Sequence, residues 1–160
     1  MKLIQKFRAD LEKIDQIESK FFRDLISLMY ALPIQHELIP NHLVFSFQTE
    51  ENIEPLLKWF ESNKHRDIPS QEKHLPLGKY AETLLLFYLE NHDHFQLLSH
   101  SLQLNQEKIT LGELDYLFSK EGDEHAIHLE LAIKFYLKVD RDGTEVYLGP
   151  STKDWMKRKL

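Results

Sequence analysis

Asp115 and Glu130 are the residues of this chain best suited to do chemistry, because two alternating segments would set both carboxylates on one surface. In Ile127-His128-Leu129-Glu130-Leu131-Ala132-Ile133-Lys134-Phe135, a strand period of two puts Ile127, Leu129, Leu131, Ile133 and Phe135 on one face. His128, Glu130, Ala132 and Lys134 fall on the other. In Leu111-Gly112-Glu113-Leu114-Asp115-Tyr116-Leu117-Phe118, Gly112, Leu114, Tyr116 and Phe118 share a face, with Glu113 and Asp115 opposite. The polar stretch 119–125 is short enough to make the two strands antiparallel neighbours. Two carboxylates beside a lysine suggest a site for a divalent metal, whose hard oxygen preference they would satisfy. Half-buried antiparallel strands also carry acids simply because one face is wet, so alternation alone leaves both readings open.

The elements that must position these residues follow from the same periodicities. Apolar residues recur at helical intervals over 3–32, from Leu3 and Phe7 through Ile14, Ile17, Phe21, Phe22, Leu25 and Met29, with one helix or two left open by a change of stripe near Ser19. Pro33 closes that stretch, and 33–48 is ambiguous. Residues 50–60 predict a short helix with Thr49 as N-cap, and 62–73 a polar linker. A helix apolar over most of its circumference begins at Pro76 and fades at Asn91-His92-Asp93-His94, so it is expected to be largely buried. A strand over 95–104, a turn at 105–108 and the two strands above complete a meander. Val146-Tyr147-Leu148 continues as strand, and a last helix starts near Thr152.

Glu82 falls inside the buried helix, where an unpaired carboxylate would cost several kcal/mol. Lys79, one turn earlier, is its nearest candidate partner.

With 160 residues and 42% hydrophobic content, the chain can bury one sizeable core and a helical appendage. Its net charge of −6 gives no global attraction to nucleic acid, so such binding would need a local patch or a metal. No cysteine is present, which excludes disulfides, thiolate zinc sites and cysteine nucleophiles. The N-terminal Met1-Lys2-Leu3-Ile4-Gln5-Lys6-Phe7-Arg8 turns charged too soon for a secretory signal, and no long uncharged span follows, so a cytoplasmic protein without a membrane partner is expected.

Other groupings point to less. His92-Asp93-His94, His125 and His128 match no zinc-ligand spacing and are read as solvated, with His128 a possible phosphate contact beside Glu130. Ser99 and Ser101 have no nucleophile context. Lys153, Lys157, Arg158 and Lys159 suit either a nucleic-acid backbone or a solvated helix end. Phe21, Phe22, Tyr30, Trp59 and Phe60 are core-forming aromatics.

Read together, Leu77-Gly78-Lys79-Tyr80-Ala81-Glu82, Thr110-Leu111-Gly112-Glu113-Leu114-Asp115, the stretch from His128 to Leu137, and Leu148-Gly149-Pro150 resemble the uncharacterised bacterial domain-of-unknown-function family 1853, within the PD-(D/E)XK nuclease-like superfamily. Arg23-Asp24-Leu25 followed by Pro33 is similar to that family's N-terminal region. The resemblance implies an α/β fold: a restriction-endonuclease-like core of helix, three-stranded antiparallel meander and helix over 72–160, with a helical N-terminal region over 1–71. The core's usual final strand does not follow, which implies a C-terminal truncation.

By the same resemblance, Asp115 and Glu130 bind Mg²⁺ or Mn²⁺, Glu82 assists from the helix, and Lys134 is the basic catalytic residue. The implied activity is metal-dependent hydrolysis of a phosphodiester, with DNA or RNA as partner. One departure stands out: the superfamily's lysine follows the second acid by two residues, where this chain has Ala132, and Lys134 lies roughly 6 to 7 Å further along an extended strand. A bulge or Lys79 would have to compensate, and the alternative is a catalytically inactive nuclease-fold domain that serves as a nucleic-acid or protein interaction module.

Overall fold

The computed structural model describes residues 2–30, 52–69, 75–107, 109–133, 137–141 and 143–149. The chain divides into two compact units, residues 1–32 with 46–131 and residues 33–45 with 132–160. The first unit carries four described helices, α1 (Lys2–Asp15), α2 (Lys20–Tyr30), α3 (Glu54–Asn63) and α4 (Leu77–Glu90). It also carries a three-stranded antiparallel sheet in the order β1 (Phe95–Gln106), β2 (Ile109–Lys120), β3 (Ala126–Leu129). In the second, β4 (Leu137–Arg141) and β5 (Thr144–Leu148) pair as a hairpin whose turn contains Gly143 at φ 75°, with the Gly143 N–H donating to Asp140 Oδ1 at 2.9 Å. Among the described residues, no helix is long and apolar enough to cross a membrane.

The N-terminal stripe resolves into two helices. The corner between them is held by the Ile17 N–H on Ile14 O at 3.0 Å and by Arg23 Nη1, which donates to Ile17 O at 3.0 Å. Phe21, Phe22, Leu25, Ile26, Met29 and Tyr30, spaced one and four apart, form the buried side of α2. Tyr30 Oη donates to the buried Asp10 Oδ2, tying α1 to α2. A carboxylate buried this deeply is tolerable because that bond and Lys13, 3.6 Å from Asp10 Oδ1, compensate its lost hydration.

The third helix starts at Glu54 rather than near residue 50, and it extends through Asn63 into the stretch read as linker. Pro55, with φ preset and no N–H to lose, suits a first helical turn, and Asn52 Oδ1 accepts from the Glu54 N–H at 3.1 Å. Thr49 lies outside the described residues.

Packing then converges on an aromatic cluster. Phe22 meets Phe60 and Phe87 at centroid distances of 5.3 and 5.7 Å, Phe21 meets Phe87 edge-on at 5.1 Å, and Trp59 lies 4.8 Å from Tyr88. Phe21, Phe22, Phe87 and Tyr88 are buried in this cluster, and each such side chain contributes about 1.5–3 kcal/mol by leaving water. As expected from its wide apolar surface, α4 buries Ala81, Leu84, Leu85, Phe87, Tyr88 and Leu89. Its other side meets the sheet through Tyr116, whose Oη donates to Glu82 O at 2.8 Å.

The sheet is a meander. Tyr116 pairs with His100 on β1 and Leu129 on β3, so Tyr116, Phe118, Ile127 and Leu129 face α4, while Asp115, Leu117 and His128 face away. A bulge at Leu98 interrupts the first ladder near its base. Both strands of the first hairpin outrun the reading from periodicity, meeting at Gln106 and Ile109, with Glu107 in the turn at φ 55°.

Candidate functional site

The third strand is shorter than its sequence pattern predicts. Its ladder with β2 ends at the Tyr116–Leu129 pair, and 130–133 are not in a strand. The cause lies in Asp115: its Oδ2 accepts the Leu131 N–H at 2.8 Å, so the carboxylate takes the donor that a continuing ladder would have used. Asp115 therefore serves as the terminus of β3, holding the departing chain against β2.

Asp115 precedes Tyr116 and Glu130 follows Leu129, so each acid lies one residue past the last ladder pair on its own strand. Glu130 Oε1 lies 2.6 Å from His128 Nε2, two residues back on the same side. Asp115 is half-buried, whereas the Glu130 side chain is 58% exposed. Among the described residues, Asp115 Oδ1 and Glu130 Oε2 take no hydrogen bond.

Glu82 is half-buried rather than buried, its side chain 28% exposed in the second turn of α4. Its partner is the predicted one. Lys79 Nζ donates to Glu82 Oε2 at 2.6 Å, and this bond raises the Lys79 ammonium above its ordinary value, with smaller contributions from Glu113 and Asp115. The Tyr116 hydroxyl is pushed up chiefly by burial and further by the Glu82 and Asp115 charges. Glu82, Lys79, Tyr116 and Asp115 thus share one electrostatic neighbourhood, although Glu82 comes from the helix side and Asp115 from the outer face.

Lys134 lies outside the described residues, as do Lys153, Lys157, Arg158 and Lys159. Ala132 is exposed. Among the described residues, no three His, Asp or Glu side chains gather closely enough to hold a metal ion by themselves. The chemistry of the donor set still fits Mg²⁺, which binds through one or two carboxylates and keeps several waters.

The remaining histidines behave differently from one another. His94 pairs with Glu121 and His125 with Asp123, each at 3.1 Å on the surface. The Asp123 carboxyl is lowered by the His125 backbone N–H, then by the His125 ring. His92 instead stacks on Trp59, with planes 13° apart, and touches Tyr88 and Phe95, so that burial lowers its pKa. Sequence reasoning passed over both the Tyr116 hydroxyl bond to α4 and the Asp115 tie to Leu131. A tyrosine amid the buried face of a strand signals the first, since its hydroxyl must find a partner there; nothing local signals the second.

A helix laid on an antiparallel meander with acids at a strand end defines a mixed α/β domain with a candidate carboxylate site. The chain belongs to the domain-of-unknown-function family DUF1853, whose profile matches residues 23–160. No curated protein and no solved structure matches it.

Proposed function

We propose that this chain is a divalent-metal-dependent phosphodiester hydrolase acting on nucleic acid, with the α4–β1–β2–β3 assembly as its PD-(D/E)XK nuclease-like core. The observation that supports the reading is the end of β3, where Asp115, anchored by one oxygen to the Leu131 N–H, and Glu130, held by His128, each lie one residue past the last ladder pair. Those two carboxylates would hold Mg²⁺ or Mn²⁺, which when bound supplies Lewis-acid polarisation of a phosphate and an acidified water. The Leu131 bond fixes the Asp115 rotamer, and His128 orients Glu130. Lys79, paired with Glu82 and within electrostatic reach of Asp115, would provide the positive charge that offsets negative charge developing on the phosphate, a role shared with or passed to Lys134.

The exposed Ala132 at the customary lysine position, and the engagement of Lys79 by Glu82, favour a second reading: a nuclease fold without catalysis that acts as an interaction module. Incubation of labelled single- and double-stranded DNA and RNA with Mg²⁺ or Mn²⁺ separates them. Cleavage by the wild type, lost in Asp115→Asn and Glu130→Gln, is the expected result. Binding without cleavage of any substrate selects the module, and cleavage unchanged in both variants refutes the assignment of the acids.

A further inference from the structure

The outer edge of β1 lacks the residues that usually keep an edge strand solitary. β1 is an edge strand of the three-stranded sheet, and among the described residues nothing pairs with its outer side along 96–106. Edge strands that must stay solitary usually carry lysine, proline or inward-pointing charge. From Phe95 to Gln106 the sequence FQLLSHSLQLNQ has no lysine, arginine, acid, proline or glycine, and His100 is its one titratable residue. In a chain that is 29% charged, a stretch of this length at the average composition would carry about three charges, so the neutrality is specific to this edge.

The bulge at Leu98 and Ser101, at φ 48°, break β1 in its first half, whereas 102–106 contain no residue in the left-handed region; the second register shift, between Leu104 and Asn105, places its extra residue, Leu111, on β2 and leaves β1 itself continuous. There Leu102 and Leu104, each 39% exposed, pair with Leu114 and Gly112 and continue the α4-facing side of the sheet beyond the helix. The nearest acid in the ladder, Glu113, stands one strand back from the edge, opposite Gln103.

We infer that β1 pairs with β1 of a second copy of this chain, antiparallel about a twofold axis at Leu104, joining the two sheets into one of six strands. A twofold interface sets the same residues against themselves, so any charge on the strand would meet its like near the axis. This strand has none. About that axis Leu104 faces Leu104 of the copy, Leu102 faces Gln106, and Gln103 faces Asn105. The four leucines form one apolar strip on the α4 side, and the amides of Gln103 and Asn105 meet on the other. Pairing of five residues a side falls short of the ~1,200 Å² at the lower bound of stable interfaces, so the dimer is weak and its population follows concentration. The inference is independent of the chemistry proposed for Asp115 and Glu130.

Sedimentation equilibrium of the full chain across micromolar to millimolar concentration tests this, with the weight-average mass of the wild type expected to climb from 19.1 kDa toward twice that value. Leu104→Lys sets two ammonium groups against each other and should weaken association by roughly tenfold or more. Leu111→Lys, on β2 and at 63% more exposed than Leu104, should leave it unchanged. Amide exchange adds a readout that needs no variant: protection of 102–106 rises with concentration. A wild type of 19.1 kDa throughout, association unaffected by Leu104→Lys, or equal weakening by Leu111→Lys would each overturn the inference. So would 102–106 exchanging at the same rate at every concentration.

Discussion

Replacing Asp115 by alanine and by asparagine should separate its structural from its chemical role. In the wild type its Oδ2 accepts the Leu131 N–H at 2.8 Å in a half-buried setting. Hydrogen bonds to charged groups contribute about 1.5–3 kcal/mol net, and partial exposure places this one near the lower bound. Alanine removes the acceptor and leaves the Leu131 N–H to water, so Asp115→Ala should lose about 1.5–2 kcal/mol. For a chain of this size that corresponds to a Tm lower by roughly 3–8 °C. Asparagine keeps a carbonyl oxygen at the same place, and Asp115→Asn should cost less than about 1 kcal/mol. Urea unfolding followed by far-UV circular dichroism measures the difference, and amide exchange localises it, with Leu131 losing protection in the alanine variant alone. Equal stability of the two variants would refute the view that this carboxylate terminates β3.

Phe22→Ala should cost about 3–5 kcal/mol, because its ring is shared by Phe21, Trp59, Phe60 and Phe87, and the loss is read as a lower urea midpoint and a collapsed near-UV aromatic signal. Tyr116→Phe should cost about 0.5–1.5 kcal/mol by removing the bond to Glu82 O without changing the ring packing, again read from urea unfolding. Burial, and then His94, lowers His92 below its ordinary 6.5, so the unfolded chain takes up this proton first. The stability it contributes is complete above 6.5 and lost as pH falls from 6.5 through the lower value of the folded chain, and His92→Phe should flatten the dependence of Tm on pH below 6.5. Lys79→Met should leave the urea midpoint nearly unchanged, since the ion pair is exposed, while abolishing cleavage if Lys79 supplies the charge at the phosphate.

The elements that sequence reasoning reached are those whose signals are local. The period-two segments gave the antiparallel pairing of β2 with β3, and the broad apolar surface gave the burial of α4. Lys79, three residues before Glu82, was likewise in view as its partner. Glu82 is less buried than its helical neighbours imply because it sits near the start of α4, where the sheet contributes Tyr116 but not a closed lid of side chains. The end of β3 was hidden for a different reason. The apolar alternation runs on through Ile133, and only a contact from Asp115, sixteen residues away, stops the ladder at Leu129. The start of α3 was legible in Pro55 and Asn52, yet the apolar stripe alone placed it several residues early.

The central claim is that Asp115 and Glu130 together hold a divalent cation, and calorimetric titration of Mn²⁺ into the wild type, Asp115→Asn and Glu130→Gln tests it most directly. Asparagine at 115 keeps the Leu131 bond, so a loss of binding there reports the charge and not the fold. Saturable binding by the wild type, abolished in both variants, is the predicted result. No binding by the folded wild type, or equal binding by the variants, would contradict it.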